Sequence, residues 1–149
     1  MPIRIERIAH LPDDFEQLAA DALGDGQRML EVLREDWQQD ALRFEGAGQA
    51  LFAAYAGPAL RGICGLTADP YLPQDHVGRV RRLYVLRPGR RGGVGRALLD
   101  AVALQAGAFC YARLRVRAPV SAFAFYERCG FLRAVGEKSA THVLPMIGV

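Results

Sequence analysis

The sequence predicts one mixed α/β domain built around a central sheet, and two observations support this fold class. The chain has 149 residues, 51% of them apolar, which suffices for one hydrophobic core but not for two ordinary domains. Its hydrophobic periodicity follows the order strand, two helices, three strands, helix, strand, helix, two strands. No repeat, linker or low-complexity stretch interrupts this order, so we expect residues 1–149 to form a single domain.

The N-terminal third is predicted to contain one strand and two helices. Residues 3–8 mostly alternate between apolar and charged side chains, which is typical of a strand. A helix is expected after Pro12, with Asp13 as its cap and Glu16 completing a capping box. A second helix, with an apolar face, is expected over residues 27–40.

The rest of the chain is predicted to supply six strands and two helices. Strands are expected over residues 49–56, 60–67, 80–86, 112–117, 132–135 and 141–147. Helices are expected over residues 93–109 and 120–129. The second of these ends before Gly130, a favourable residue just past a helix.

Composition disfavours several classes of protein. The cysteines Cys64, Cys110 and Cys129 are odd in number, widely spaced and form no CxxC pair, so we expect neither a disulfide framework nor a metal site. No apolar run is long enough to span a membrane, and the N-terminus lacks the pattern of a signal peptide. We therefore expect a cytoplasmic protein that does not insert into a membrane.

The positive charge of the chain is concentrated in arginine. The net charge is +3, and Lys138 is the only lysine. Seven arginines fall between positions 79 and 96, namely Arg79, Arg81, Arg82, Arg87, Arg90, Arg91 and Arg96. Codon bias in a GC-rich genome would explain the excess of arginine, whereas an anionic ligand would explain this local cluster.

Residues 87–96 predict a diphosphate site at the start of a helix. Unpaired backbone N–H groups and the helix dipole make a helix start partly positive. Glycines at 92, 93 and 95 would let a phosphate approach those groups, and the arginines add charge. Tight packing of strand against helix would explain the glycines alone equally well. A Walker loop is excluded because its Gly-Lys-Ser/Thr ending is missing, and Leu98 stands where the dinucleotide fingerprint needs glycine.

Two motifs resemble the GNAT superfamily of acetyl-CoA-dependent N-acetyltransferases. Residues 90–95, RRGGVG, match the R/Q-x-x-G-x-G/A pyrophosphate loop of that family. Residues 125–131, FYERCGF, resemble its FYE-x-x-GF segment. The motifs have the family's order and separation. The resemblance implies a GNAT-like acyl-CoA N-acyltransferase fold, whose central sheet is mostly antiparallel and flanked by helices.

The same resemblance assigns roles to residues. In the family the fourth and fifth strands splay apart, and the pantetheine arm of acetyl-CoA enters the gap and pairs with the fourth strand. Tyr126 matches the family's tyrosine near the thioester sulfur, which implies a general acid for the thiolate leaving group. The implied acetyl-CoA-binding residues are Leu83, Tyr84, Val85, Arg90, Arg91, Gly92, Gly93, Val94, Gly95 and Arg96. No metal is implied.

This sequence departs from the family pattern at two places. Pro119 stands where many relatives carry an asparagine that contacts the cofactor arm, and Ser121 is a candidate substitute. Arg81 and Arg82 occupy the stretch where many relatives place a glutamate as general base. The base is therefore unassigned, and Arg82 could instead hold an acidic group of the acceptor. Candidate bases are His76, His142, Glu35 and Asp75, or a relaying water.

The resemblance implies direct attack of a neutral amine on the thioester of acetyl-CoA, with an N–H of the distorted fourth strand stabilising the oxyanion. The expected acceptor is the primary amine of a small or amino-acid-like molecule. The alternatives are a protein N-terminus or lysine, and a CoA-binding module without turnover. Nucleic-acid binding is disfavoured because the arginines lie on a glycine-rich loop. A homodimer is compatible with the sequence.

Overall fold

The computed structural model describes residues 2–73, 75–90 and 92–146. Its seven strands are β1 (Ile3–Arg7), β2 (Ala50–Ala56), β3 (Ala59–Ala68), β4 (Val77–Val85), β5 (Arg113–Val116), β6 (Leu132–Arg133) and β7 (His142–Pro145). They form one sheet in the order β1-β2-β3-β4-β5-β7-β6. Every neighbouring pair is antiparallel except β4 and β5, which are parallel. The predicted mixed, mostly antiparallel sheet is confirmed.

The described residues include four α-helices beside the sheet, and their order along the chain agrees with the prediction. They are α1 (Phe15–Gly24), α2 (Met29–Gln38), α3 (Val94–Ala108) and α4 (Phe123–Arg128). Short 3₁₀ turns at Arg87–Gly89 and Val120–Ala122 precede α3 and α4. No helix among the described residues is both long and apolar enough to cross a membrane.

Successive side chains of β2 point to opposite faces of the sheet and pack in two separate parts of the core. Ala50, Phe52 and Ala54 pack in one cluster with α3, whereas Leu51 and Ala53 pack in a second cluster with α1 and α2. Both sets of side chains are buried because helices cover both faces. β2 therefore contributes to two hydrophobic layers, one against α3 and one against α1 and α2.

The sheet opens between β4 and β5. The two strands pair only from Val77 to Arg79 on β4, opposite Arg113 to Arg115 on β5. Beyond that point β4 keeps β3 as its neighbour but loses β5. The strands thus splay apart towards their C-terminal ends, as the family resemblance implies, and leave a gap in the middle of the sheet.

A β-bulge distorts β4 inside this gap. Arg82 and Leu83 stand opposite the single residue Cys64 of β3, because the register passes from Arg81 opposite Gly65 to Tyr84 opposite Ile63. Arg82 has φ +58°, a left-handed conformation that is uncommon for a residue other than glycine. The extra residue re-aims the backbone of the second half of β4 along the edge of the gap.

A buried ion cluster lies just where the strands part. One oxygen of Asp69 lies 3.1 Å from Nη1 of Arg79 on β4 and 3.2 Å from Nη1 of Arg115 on β5. Arg79 also donates to the Ser139 carbonyl at 2.7 Å, and Arg115 to the Ser139 hydroxyl at 2.6 Å. Asp69 and Arg115 are almost fully buried. The cluster joins β4 and β5 at the last point where they pair.

The start of α1 differs from the prediction. Asp14 precedes the helix, no side-chain cap forms there, and so the predicted capping box of Asp13 and Glu16 is wrong. Both Glu16 carboxylate oxygens instead accept hydrogen bonds from Arg34 of α2, at 2.6 and 2.9 Å. A bidentate charged bond between two helices replaces the local cap, and no local pattern in the sequence reports such a partner.

The end of α4 is as predicted, since the helix stops before Gly130. That glycine has φ +95°, and its N–H donates to the Glu127 carbonyl at 3.1 Å. The N–H of Phe131 donates to the Tyr126 carbonyl at 3.0 Å, which completes a Schellman cap. The cap fixes the short helix that carries Tyr126.

Candidate active site

The gap between β4 and β5 leads into a cavity of about 510 Å³, here called the larger cavity. The end of β4 forms one wall and the start of α3 another, while α4 and the connection between α1 and α2 close the remaining sides. Eight of the residues assigned from the sequence line it: Leu83, Tyr84, Val85, Arg90, Gly93, Gly95, Arg96 and Tyr126. Segments far apart in the chain therefore meet around one space.

Two of the remaining assigned residues, Val94 and Gly92, do not line this cavity. Val94 is buried with 4% of its surface exposed and packs into the core under α3. Gly92 is exposed just before the helix. Arg91 lies outside the described residues, so its assigned role stays a prediction.

The start of α3 has the features of an anion site. Gly93 precedes the helix in the left-handed conformation, φ +84°, and its carbonyl accepts the first helical hydrogen bond from Ala97 at 3.0 Å. No side chain caps the helix, so the N–H groups of its first residues keep their capacity to donate. A Cβ atom built on Gly93 would meet nothing within 4 Å, which leaves open space at the positive end of the helix dipole.

Gly95 lines the larger cavity and also has a packing role. A Cβ atom at this position would lie 2.7 Å from Cζ and 2.9 Å from Cε1 of Phe125, closer than real side chains approach. Its absence lets α3 pack directly against α4. Gly95 thus sets the spacing of two helices, whereas Gly93 provides the open space at the helix start.

Arg90 folds back over the cavity in this structure. Its Nε donates to the Val85 carbonyl at 3.1 Å, and an Nη lies 3.0 Å from a carboxylate oxygen of Asp25. The guanidinium also lies over the ring of Tyr84, 5.2 Å from the centroid. Arg96 donates to the Arg128 carbonyl at 2.6 Å, at the C-terminal end of α4. Two arginines therefore stand beside the open start of α3.

Tyr126 lies at the inner end of the cavity. Its ring packs edge-on against Phe125 and Phe131, with centroids 5.3 Å apart in both pairs, and only 4% of the residue is exposed. None of the described residues forms a hydrogen bond with its hydroxyl. Burial raises the pKa of this phenol well above its ordinary value, so the hydroxyl keeps its proton at neutral pH. Tyr126 is thus a protonated phenol that lines the cavity, and its assigned role as general acid stays a prediction.

Tyr84 lies on β4 and also lines the larger cavity, but its hydroxyl points elsewhere. That hydroxyl donates to Asp21 of α1 at 2.6 Å, and burial together with this bond raises the pKa of Tyr84. The carboxylate of Asp21 also accepts the backbone N–H of Arg87 at 3.0 Å. These contacts tie α1 to β4 and to the loop before α3.

A second cavity of about 260 Å³, here called the arginine cavity, adjoins the larger one. The two share Met29, Leu83, Pro119 and Tyr126 as lining residues. The remaining lining residues of the arginine cavity are Arg79, Val80, Arg81, Arg82, Val116 and Arg117. The bulge of β4 and Tyr126 thus lie at the junction of two spaces, one beside the start of α3 and one lined by arginine.

The four candidate bases are not brought to this junction. Glu35, Asp75 and His76 are exposed, and none lines either cavity. His142 is completely buried, with one ring nitrogen 2.7 Å from Glu127 and the other 2.9 Å from the Thr141 hydroxyl. These positions leave water as the remaining proton acceptor named from the sequence.

Comparison with known proteins decides the family. The family model of the acetyltransferase (GNAT) domain matches residues 47–133, which include both sequence motifs. The chain belongs to the GNAT acetyltransferases. No curated protein sequence matches it. The GNAT resemblance of the loop and of the FYERCGF segment is thereby confirmed, and this family uses acetyl-CoA or another acyl-CoA.

Solved structures share the fold of this GNAT domain over nearly the whole chain. A protein from Exiguobacterium sp. 255-15, provisionally named as an acetyltransferase, is 28% identical with a TM-score of 0.85, and the match covers 97% of this chain and 94% of that one. A GNAT-family acetyltransferase from Staphylococcus aureus Mu50 is 14% identical with a TM-score of 0.73, and the match covers 97% and 100%. Glucosamine-6-phosphate N-acetyltransferase from Arabidopsis thaliana is 12% identical with a TM-score of 0.67, and the match covers 93% and 97%.

Several lining residues of this GNAT domain escaped the sequence analysis. Asp25 and Gln27 come from the connection between α1 and α2 and Met29 begins α2, and this stretch carries no motif. Arg117 follows β5 and reaches the arginine cavity only because the strands splay. The one available signal was the glycine-flanked break before α2, which marks a turn but does not show what the turn faces.

Proposed function

We propose that this protein transfers an acetyl group from acetyl-CoA to the primary amine of a small or amino-acid-like acceptor. The observation that carries the proposal is the junction of two cavities at Leu83 and Tyr126. One space suits a cofactor and the other an acceptor, and both reach the same proton donor.

The residues around the larger cavity fit acetyl-CoA. The uncapped start of α3, the open space at Gly93 and the side chains of Arg90 and Arg96 suit a diphosphate. The unpaired edge of β4 from Leu83 to Val85 suits an amide-bearing arm that adds to a strand edge. When bound, acetyl-CoA supplies an activated thioester.

Groups of the protein itself would then stabilise or protonate the leaving thiolate and stabilise the oxyanion. Tyr126, which carries its proton at neutral pH, would stabilise the leaving thiolate by hydrogen bonding or protonate it. The backbone at the bulge would offer an N–H to the developing oxyanion, since β4 has no partner on that side. The proton of the attacking amine would leave through water.

The size of the arginine cavity supports a small acceptor rather than a protein. A volume of about 260 Å³ suits a small molecule such as an amino-acid-like amine. The Arabidopsis enzyme is named for an acceptor that carries both an amine and a phosphate, so the same fold serves a small acceptor there. Transfer to a protein amine remains the alternative, and turnover of peptides but not of free amines would favour it.

Acetyl-CoA binding by calorimetry, followed by release of free thiol with a panel of amines, tests the proposal. We expect the wild-type protein to bind and Gly93→Asp to lose binding by about a hundredfold or more, because a carboxylate would occupy the phosphate position. Gly136→Asp is the matched control. Gly136 also has positive φ and open space at its Cβ, but lines neither cavity. Equal loss in both variants, or binding without turnover of any amine, would contradict the proposal.

A further inference from the structure

The arginine cavity holds more positive charge than its surroundings neutralise. Four arginines line it, and no aspartate or glutamate does so among the described residues. Protein cavities rarely keep charged groups away from water without a partner, because desolvation of an unpaired charge is costly. The carboxylate partners of each arginine therefore show which positive charges in the cavity are not neutralised.

Two of the four arginines have carboxylate partners. Arg79 pairs with Asp69 at 3.1 Å, but Asp69 is shared with Arg115, so one carboxylate serves two cations. Arg82 reaches Asp36 of α2 at a longer distance, 3.5 Å, and both side chains are partly exposed. The Nε of Arg82 is buried and has no hydrogen-bond partner.

Arg81 and Arg117 have no carboxylate partner among the described residues. Arg81 is half-buried, and its Nη1 donates to the Thr67 hydroxyl at 3.1 Å. Burial, and then the neighbouring Arg82 and Arg79, lower the pKa of Arg81 from its usual range. Arg117 is exposed. A guanidinium still carries its charge at neutral pH, so the cavity presents uncompensated cations and an orphaned N–H.

We propose that the arginine cavity binds an anionic group of the acceptor, a carboxylate or a phosphate, through Arg81 and Arg82 with Arg117 at its edge. This inference rests on the proposed function and narrows its acceptor to amines that carry an acid group. Since Leu83 and Tyr126 line both cavities, an anion held there places an amine a few bonds away beside the thioester. Binding energy from the acid group would thereby orient the reacting amine.

Matched pairs of amines test the acid requirement. We would compare γ-aminobutyrate with n-butylamine, and O-phosphoethanolamine with ethanolamine, using amines of similar basicity within each pair. The wild-type protein should use an acid-bearing member with kcat/KM at least about tenfold above its neutral partner. Preference within the first pair would identify a carboxylate, and preference within the second a phosphate. Equal use of neutral and acid-bearing amines would overturn the proposal while leaving acetyl transfer intact.

The Arg81→Gln variant tests whether Arg81 causes the preference for acid-bearing amines. Glutamine keeps a donor for Thr67 but removes the charge, so kcat/KM for the acid-bearing amine should fall about a hundredfold, while that for the neutral amine should change less than about threefold. Arg61→Gln is the control, because Arg61 is a partly exposed arginine of the neighbouring strand β3 that lines neither cavity. A similar fall in both variants, or in neither, would contradict the assignment.

A binding measurement separates this inference from the proposed function. Inorganic phosphate and acetate would each be titrated into protein saturated with acetyl-CoA, so that the larger cavity is filled. We expect wild-type and Arg61→Gln protein to bind one of the anions and Arg81→Gln to bind it at least about tenfold more weakly. Unchanged binding by Arg81→Gln, or no anion binding by the wild type, would overturn the inference. Failure to bind acetyl-CoA would instead refute the proposed function, and the same titration without cofactor would still compare the variants.

Discussion

At the scale of single residues, Tyr126 combines a buried ring with a hydroxyl that forms no hydrogen bond with any described residue. The sequence motif identified this residue, and the structure explains how it is held. Phe125 and Phe131 pack on the ring, and the cap at Gly130 fixes the helix that bears it. Burial opposes ionisation of this hydroxyl, so it carries its proton at neutral pH, and the same raised pKa makes it a weaker acid than a free phenol.

Replacing Tyr126 by phenylalanine should therefore slow acetyl transfer and leave the affinity for acetyl-CoA unchanged. We expect kcat to fall by about a hundredfold or more, with acetyl-CoA affinity changed less than about threefold. Steady-state kinetics and calorimetry would measure the two quantities. Tyr111→Phe serves as the control, since its hydroxyl donates to the Gly48 carbonyl at 2.7 Å and lines neither cavity. Full activity of Tyr126→Phe would disprove the acid role.

At the scale of elements, α3 shows what sequence reasoning can and cannot reach. The glycine-rich segment located the helix start correctly, because helix starts and glycines leave a local signature. The purpose of Gly95 was not accessible in this way. It depends on Phe125, a residue thirty positions further on that approaches only after both helices have docked. The same holds for Asp25 beside Arg90 and for Arg34 beside Glu16.

The close approach at Gly95 predicts an unusual result for Gly95→Ala. Helix propensity alone favours alanine by about 1 kcal/mol. The new methyl group would nevertheless push the Phe125 ring, which lines the larger cavity. We expect the free energy of unfolding to change by less than about 1 kcal/mol, while acetyl-CoA binding weakens by about tenfold.

Gly107 of the same helix provides the control for this prediction. A Cβ atom there would meet Cε of Met146 at 3.8 Å, an ordinary contact. Gly107→Ala should therefore stabilise the protein by up to about 1 kcal/mol in denaturant unfolding and leave binding unchanged. If both alanine variants bind acetyl-CoA like the wild type, the Phe125 ring does not control the cavity.

At the scale of the whole molecule, the element order and the mixed sheet followed from hydrophobic periodicity, since α3 and the central strands are strongly patterned. The splay of β4 from β5 was known only through the family resemblance. Strand pairing depends on residues remote in sequence, and no local pattern reports a missing neighbour. The arginine cavity follows from that splay. The sequence therefore showed an arginine cluster without showing that Arg117 joins it.

Several buried acidic protons make the stability of the fold sensitive to alkaline pH. Burial raises the pKa of the Cys64 thiol and of the phenols of Tyr84 and Tyr126. Their stabilising contribution is complete below the unfolded values, which are about 9 for a thiol and about 10 for a phenol. It is lost as pH rises towards the folded values, because only the unfolded chain releases the protons.

The free energy of unfolding should therefore decline above about pH 9, by up to about 1.4 kcal/mol per pH unit for each such group. Denaturant unfolding at a series of pH values would measure the slope. Cys64→Ala should be less stable at neutral pH because a buried side chain is truncated, yet its slope just above about pH 9 should be shallower than that of the wild type. Identical slopes would exclude the thiol as a contributor.

The ion cluster of Asp69, Arg79 and Arg115 holds the gap between β4 and β5 open before any ligand binds. It clamps β4 to β5 at the last pair of the ladder, and immediately beyond it the bulge turns β4 away. The opening is thus preorganised: a ligand entering it has no interstrand hydrogen bonds to break and no strand to displace. An extended ligand finds one edge of β4 vacant and already shaped, so its recognition there resembles the addition of a strand to a sheet more than the deformation of one.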